Sequence, residues 1–270
     1  ANDPLLQQVL PVQAELSTQL GFMDDPLNEK KANVLPGLLH KYHGRVLLMV
    51  TGNCAINCRY CFRRSFDYPH NRVSRMQWQT VFDYIAADQT IEEVIFSGGD
   101  PLMVADNQLD FLLTAIEAIP HVKRLRIHSR LPVVLPQRIT DTLLCRLQSS
   151  RLAVILVVHA NHANEIDAEV EQAFAKSHQA GLILLNQSVL LADINDSVES
   201  LADLSRKLFS HHVQPYYLHL LDPVAGTSHF EVDQHRALSL VSALRECLSG
   251  YLVPRLCREV AGEHSKKIVA

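Results

Sequence analysis

The chain has 270 residues, of which 47% are apolar and 20% charged, a balance that supplies a large core and excludes disordered and collagen-like chains. Lysine and arginine total 25 against 29 aspartates and glutamates, a net charge of −4 without a long run of one sign, which argues against nucleic-acid and membrane-surface partners. Six cysteines are too sparse for a disulfide scaffold, so reduced thiols in a cytoplasmic compartment are expected.

Residues 1–38 carry two helix-like pieces and the breakers Pro26 and Pro36 without strand alternation, and are expected to form an N-terminal helical arm. The opening Ala1-Asn2-Asp3-Pro4 lacks the basic and apolar regions of a secretory signal. The longest apolar stretches, residues 152–158 and 189–192, fall short of the roughly 20 residues of a membrane span, so a soluble protein is expected. From Val46 onward, β-branched runs alternate with amphipathic segments. Strands are expected at 46–50, 94–97, 125–128, 153–158, 182–186 and 214–219. Leu109, Leu112, Leu113 and Ile116, and then Leu201, Leu204 and Leu208, recur at three and four residues, as in helices packed on a sheet. The pattern predicts an α/β fold, a partial (β/α)6 barrel over residues 39–270 with a short C-terminal segment. Ligand sites in such folds form where loops leave the C-terminal ends of the strands.

After the first of these strands comes Thr51-Gly52-Asn53-Cys54-Ala55-Ile56-Asn57-Cys58-Arg59-Tyr60-Cys61. A [4Fe-4S] cluster normally takes four cysteines, so Cys54, Cys58 and Cys61 on one loop would leave one iron open to a ligand. Alternatives are a zinc ion completed by His70 or a distant cysteine, and a purely structural cluster completed by Cys145, Cys247 or Cys257. After the second strand, Ser97-Gly98-Gly99-Asp100-Pro101-Leu102 is either a tight turn or a ligand loop.

The cysteine triplet after the first strand of a six-unit barrel resembles the signature of radical S-adenosylmethionine enzymes. The resemblance implies that the open iron chelates S-adenosylmethionine and that an electron, delivered by an electron-donor protein, cleaves it to a 5'-deoxyadenosyl radical. Gly98, Gly99 and Asp100 resemble the element that holds the cofactor's amino group, and His159 is at a place that reaches the adenosyl moiety.

Further blocks narrow the resemblance to the lysine 2,3-aminomutase family. These are Lys41-Tyr42-His43-Gly44-Arg45, Cys61-Phe62-Arg63-Arg64, residues 96–102, Asn186-Gln187-Ser188-Val189-Leu190-Leu191, residues 215–222 and Gly250-Tyr251-Leu252-Val253-Pro254. The family also uses pyridoxal phosphate, because moving an amine from Cα to Cβ by a radical route needs an imine nitrogen for that radical to attack. In Gly262-Glu263-His264-Ser265-Lys266-Lys267, Lys266 aligns with the lysine that bonds the aldehyde, and Lys267 is a neighbouring competitor. Arg45 and Lys41 match positions near the cofactor phosphate, and Tyr42 and Gln187 match contacts to its ring. Arg63 matches the residue that grips the substrate carboxylate, a task suited to a guanidinium fork, while the adjacent Arg64 is as well read as an acid-paired surface arginine. Asp222 and Glu259 match two acids that hold the side-chain ammonium of lysine. The roles of His128 and His162 are left open.

The resemblance therefore implies conversion of (S)-α-lysine to (R)-β-lysine. The ending four residues after Lys266, the run of residues 34–42 and the run Arg126-Ile127-His128-Ser129-Arg130 look most like the short bacterial branch that supplies β-lysine to translation elongation factor P through a partner ligase. Other readings are a mutase for another amino acid such as glutamate, and a catalytically silent metal-binding scaffold.

Overall fold

In the computed structural model, which describes residues 3–270, the six expected apolar runs become the central parallel strands of one curved sheet. The arm begins with 3-10 turns at Leu6–Gln8 and Gln13–Leu16 and a single helical turn, α1 (Glu29–Ala32). It then enters the sheet as β1 (Asn33–Leu35) and continues into β2 (Leu38–Tyr42). The repeating part follows as β3 (Arg45–Thr51), α2 (Gln77–Ala87), β4 (Glu93–Gly98), α3 (Asp106–Glu117), β5 (Arg124–Ser129), α4 (Leu131–Val134) and α5 (Asp141–Gln148). Next come β6 (Ala153–Val158), α6 (Ala168–Gln179), β7 (Ile183–Val189), α7 (Val198–Ser210), β8 (Val213–His219) and α8 (Gln234–Cys247), and the chain ends in β9 (Arg255–Arg258) and β10 (Lys267–Ile268).

All ten strands lie in chain order, parallel from β3 to β9, with the antiparallel β1–β2 hairpin side added at one edge and β10 at the other. Six helical crossovers thus separate seven parallel strands, and the expected partial barrel is extended at both edges. β9 has only Leu256 and Cys257 between two arginines, too little apolar periodicity to register as a strand in the sequence.

Strand alternation sorts the side chains into two layers. Val46, Leu48 and Val50, Val94 and Phe96, and Leu125 and Ile127 face outward and share one core with Trp78, Phe82 and Ile85 of α2 and with Leu109, Leu112, Leu113 and Ile116 of α3. Leu201 of α7 packs in a second core with Leu240 and Leu244 of α8, and Leu204 and Leu208 join the first. The intervening residues, Glu93 and Ser97 on β4 and Arg126 and His128 on β5, are left to the barrel interior, where Arg126 pairs with Glu93. Thr140, Asp167, Ser197 and Asp233 cap α5, α6, α7 and α8 by accepting backbone N–H bonds in the first turn, which fixes where each crossover begins.

The arm is fastened at two places. Gln8 is fully buried, and its amide donates to Glu165 at 3.1 Å. Met23 exchanges backbone hydrogen bonds with the chain on either side of Val224, from its N–H to Pro223 at 2.9 Å and to its carbonyl from Ala225 at 3.0 Å. Among the described residues no helix is long and apolar enough to cross a membrane.

Phe174 of α6 has no exposed surface. Phe174→Ala is expected to lower unfolding stability by about 3–5 kcal/mol through the cavity it leaves, seen as a lower denaturant midpoint at unchanged slope.

Candidate active site

The cysteine loop starts where β3 ends, and the glycine pair after β4 lies directly against it. The Gly99 N–H donates to the Thr51 carbonyl at 2.7 Å, and the Asp100 N–H to the Asn53 carbonyl at 2.8 Å. Gly98 has φ +119°, and a Cβ on Gly99 would sit 2.4 Å from the Asn53 carbonyl oxygen. Only glycine tolerates this backbone and this approach. The pair is therefore the seat on which the cysteine loop rests, more than a simple turn.

Asp100 turns its carboxylate toward the chain's own donors. Its buried carboxylate accepts from the Leu102 N–H at 3.0 Å, the Ser129 hydroxyl at 2.7 Å and the N–H groups of Arg130 and Leu131 at 2.8 and 3.1 Å. Burial raises its pKa and these four donors oppose the rise. The side chain ties the loops after β4 and β5 together, each carboxylate oxygen accepting two bonds from the chain itself.

Cys54, Cys58 and Cys61 are all free thiols. Burial and then the neighbouring Asp100, Cys61 and Cys58 push the Cys54 thiol up to about 12, and burial followed by Cys58 raises Cys61. The Arg130 guanidinium donates to the Cys58 sulfur at 2.8 Å. Among the described residues no three His, Cys, Asp or Glu side chains are close enough to hold one ion. His70 lies at the surface beside Asp67 at 3.3 Å. Three free thiols on one loop fit a cluster in which each cysteine takes a different iron, and His70, at the surface, is not drawn to them as a fourth ligand.

His159 is held behind this loop. Its Nε2 is 2.8 Å from the Tyr60 hydroxyl, the two rings stack at 5.6 Å, and burial, then the Arg130 charge, lower its pKa to about 3. It is a neutral imidazole. Tyr60 also bonds Arg130 and Asn161 at 2.8 Å each, and Arg130 reaches Gln8 and Glu165 at 2.7 Å each. Sequence reasoning missed this network apart from the aromatic residue before Cys61 and the run ending at Arg130. His162 accepts from the Asn164 N–H at 3.1 Å and caps a turn.

A second cluster of charged groups gathers around Glu259, just after β9. One oxygen accepts from Lys41 at 2.5 Å and from the Tyr42 hydroxyl at 2.9 Å, and the other from Lys266 at 2.7 Å. Burial favours the protonated form of Glu259, but Lys266 and Lys41 hold its pKa well below the ordinary carboxylate value. Glu259, expected beside a substrate ammonium, is thus committed to two lysines of the chain itself. Asp222 accepts no hydrogen bond on its carboxylate from the described residues, and burial, then the Glu259 charge, raise its pKa to about 7.

Lys266 points inward, whereas Lys267 is exposed on β10, which separates the two competing lysines. The Arg45 guanidinium lies 4.6 Å from the Tyr42 ring centre, so Lys41, Tyr42 and Arg45 form one basic, aromatic-floored corner near Lys266. An amine, two cations and an aromatic hydroxyl are the donor set that an aldehyde phosphate needs, and these residues fit pyridoxal phosphate. Gln187 is half-buried on β7 beside Tyr217 of β8 and makes no side-chain hydrogen bond among the described residues. His128 and His219 are half-buried residues facing the barrel interior, where desolvation first and then positive neighbours, Arg126 and Lys266 respectively, hold both neutral.

Arg63 and Arg64 divide sharply. Arg64 is partly exposed and pairs with Glu15 at 2.9 Å. Arg63 is buried, and Glu29 of α1 accepts from its Nε at 2.8 Å and its Nη2 at 2.7 Å. Its Nη1 donates to the Ser97 hydroxyl at 3.2 Å. Glu29 thus fills one edge of the guanidinium fork that the resemblance matches to a substrate carboxylate. No sequence signal singled out Glu29, an acid on a four-residue helix among other charged residues.

Gly99→Ala is expected to displace residues 51–54 and reduce iron and sulfide bound per chain after anaerobic reconstitution, with the far-ultraviolet circular dichroism of the wild type retained.

Comparison with known proteins identifies the family. Residues 48–205 match the family model of the radical SAM superfamily. The chain is 55% identical over 265 residues to a protein of Escherichia coli strain K12 named L-lysine 2,3-aminomutase, covering 98% of this chain and 77% of that one. It is 52% identical over 269 residues to a protein of the same name from Haemophilus influenzae, covering all of this chain and 80% of that one. A radical SAM methyltransferase from Sphaerobacter thermophilus shares the fold, with a TM-score of 0.55 at 16% identity over 82% of this chain and 68% of that one. The chain belongs to the lysine 2,3-aminomutase family within the radical SAM superfamily.

Proposed function

We propose that the protein converts (S)-α-lysine to (R)-β-lysine, moving the amino group from Cα to Cβ. The observation that carries this reading is the convergence of Lys266, the unpartnered carboxylate of Asp222 and the buried Arg63 in the same barrel that presents three cysteines on one loop. Cys54, Cys58 and Cys61 would hold the cluster that, with S-adenosylmethionine, would supply radical chemistry, and Lys266 would hold the pyridoxal phosphate that would supply the carbonyl group for the amine.

The chain's own groups select and place the substrate. Arg63 receives the α-carboxylate and Asp222 the side-chain ammonium, opposite charges for opposite ends. Glu259 keeps Lys266 turned inward, Lys41 and Arg45 would hold the cofactor phosphate, and Tyr42 and Gln187 would lie at the cofactor ring. Gly98, Gly99 and His159 line the S-adenosylmethionine side, and Asp100 acts there by fixing the loops. A glutamate substrate would set a second carboxylate against Asp222 and Glu259, which opposes that alternative. The inward-facing Lys266 and its charged partners likewise oppose a silent scaffold.

The runs of residues 34–42 and 126–130 support a role in supplying β-lysine to translation elongation factor P through a partner ligase. That role goes with a cytoplasmic location and an electron-donor protein.

The deciding experiment supplies the reconstituted enzyme with S-adenosylmethionine, dithionite and Cβ-deuterated (S)-lysine. Deuterium in 5'-deoxyadenosine together with β-lysine is the expected result. Cleavage of S-adenosylmethionine without label transfer sends the substrate assignment elsewhere. Lys266→Ala is expected to lose the absorbance of bound pyridoxal phosphate and Lys267→Ala to keep it.

Because Asp222 has a pKa raised to about 7, the charged form that binds an ammonium is depleted as pH falls through that value. The kcat/KM for lysine is therefore expected to fall tenfold per pH unit below about 7. Asp222→Asn is expected to remove that limb and to lower the plateau by about 3 kcal/mol, on the order of a hundredfold.

A further inference from the structure

The guanidinium of Arg63 has five N–H groups: one on Nε and two on each Nη. Glu29 accepts from Nε and Nη2, and Ser97 from Nη1. One N–H on Nη1 and one on Nη2 are therefore left without a partner among the described residues, on a side chain that is 9% exposed and faces an acid that is 5% exposed. The Phe62 ring lies 4.8 Å from the guanidinium carbon and covers one of its faces. A planar fork with one edge clamped, one face covered and two adjacent nitrogens still able to donate is oriented as well as charged.

The clamp itself is anchored. Asp25 accepts from the Glu29 N–H at 2.9 Å and from the Lys30 N–H at 3.3 Å, which fixes the backbone where Glu29 projects. Leu27 between them is buried at 2% exposure. Six residues before Glu29, Met23 bonds the backbone of Pro223 and Ala225, immediately after Asp222. One short stretch of the arm, residues 23–29, thus touches the chain next to Asp222 at one end and Arg63 at the other.

We propose that Glu29 is a positioning residue of the substrate site, holding the Nε/Nη2 edge of Arg63 so that its remaining N–H groups on Nη1 and Nη2 meet the carboxylate of the amino-acid substrate. This rests on the reading of Arg63 as the carboxylate holder. It adds that the arm, through residues 23–29, sets the separation between the holders of the two ends of the substrate. It also explains how a buried guanidinium can wait for substrate: Glu29 removes the cost of an uncompensated buried charge without using all of its donors.

The test is titration calorimetry of L-lysine and of L-lysinamide, which lacks the carboxylate, into enzyme loaded with the cluster and pyridoxal phosphate, with iron content and cofactor absorbance recorded for every variant. Glu29→Gln replaces one acceptor oxygen by an NH2 that opposes Nη2. It is expected to weaken lysine binding about 10- to 100-fold, the scale of a charge-assisted contact, and to leave lysinamide binding unchanged. Glu29→Asp, which keeps the charge on a shorter stem, is expected to fall between the two and serves if Glu29→Gln loses its cofactors. Equal weakening of both ligands would reduce Glu29 to a fold-holding residue. Unchanged or tighter lysine binding would make Glu29 a stand-in that the substrate displaces. Either result overturns the proposal. Wild-type enzyme that binds lysine no better than lysinamide would remove the carboxylate role of Arg63, and wild-type enzyme that binds neither would remove the aminomutase reading itself, each taking the proposal with it.

Discussion

The carboxylate of Glu259 joins parts of the chain that lie more than two hundred residues apart, and the geometry of the site depends on it. Lys41 and Tyr42 belong to the second strand of the sheet and Lys266 to the segment leading into the last, so bonds from all three to one acid draw the two ends of a curved sheet together. An acid placed there with no cation beside it would be strongly disfavoured by burial, and the cations would repel one another without the acid. The same bonds that bring the edges together therefore place an amine, two cations and a phenol in one corner.

Further into the barrel the charges are matched almost one for one. Glu93 faces Arg126, Glu29 faces Arg63 and Glu165 faces Arg130. His128 and His219 are kept neutral by burial and by positive neighbours, so neither adds charge to the account. Asp222 is the exception, a largely enclosed carboxylate with no donor among the described residues, and its raised pKa is the electrostatic consequence. An unpaired acid amid completed pairs costs folding energy, and such a cost is usual where a ligand of opposite charge completes the pair.

What could be read from the sequence follows the same division between local and long-range causes. Strands β3 to β8 were legible because each carries several β-branched or aliphatic residues packed under a helix, a local pattern that leaves a periodic trace. The hairpin of β1 and β2 and the strands β9 and β10 hold two to five residues each and take their structure from pairing with distant neighbours, which leaves no such trace. Among site residues, the three cysteines stood out through spacing and Lys266 through resemblance. Glu29, Tyr60, Asn161 and Glu165 act through partners between 34 and 157 positions away, a separation that no local pattern encodes. Asp100 and Glu259 show the complementary difficulty: residue type and place were legible, but the donors that saturate them come from other loops.

Arg130 links the arm to the cysteine loop. Its guanidinium reaches the Cys58 sulfur, the Tyr60 hydroxyl, the Gln8 amide oxygen and the Glu165 carboxylate, all between 2.7 and 2.8 Å. Hydrogen bonds and positive charge at a cysteine sulfur stabilise electron density there and are among the levers by which a protein raises the potential of an iron–sulfur centre. Glu165 offsets part of that charge, and Gln8 and Asn161 fix its position, so the strength of the lever is set by residues of the arm and of the loop after β6. The arm thus touches both halves of the chemistry. Gln8 lies behind the cysteine loop and residues 23–29 bond Arg63 and the backbone next to Asp222, so under the proposed function a displacement of the arm would disturb electron entry and substrate placement together.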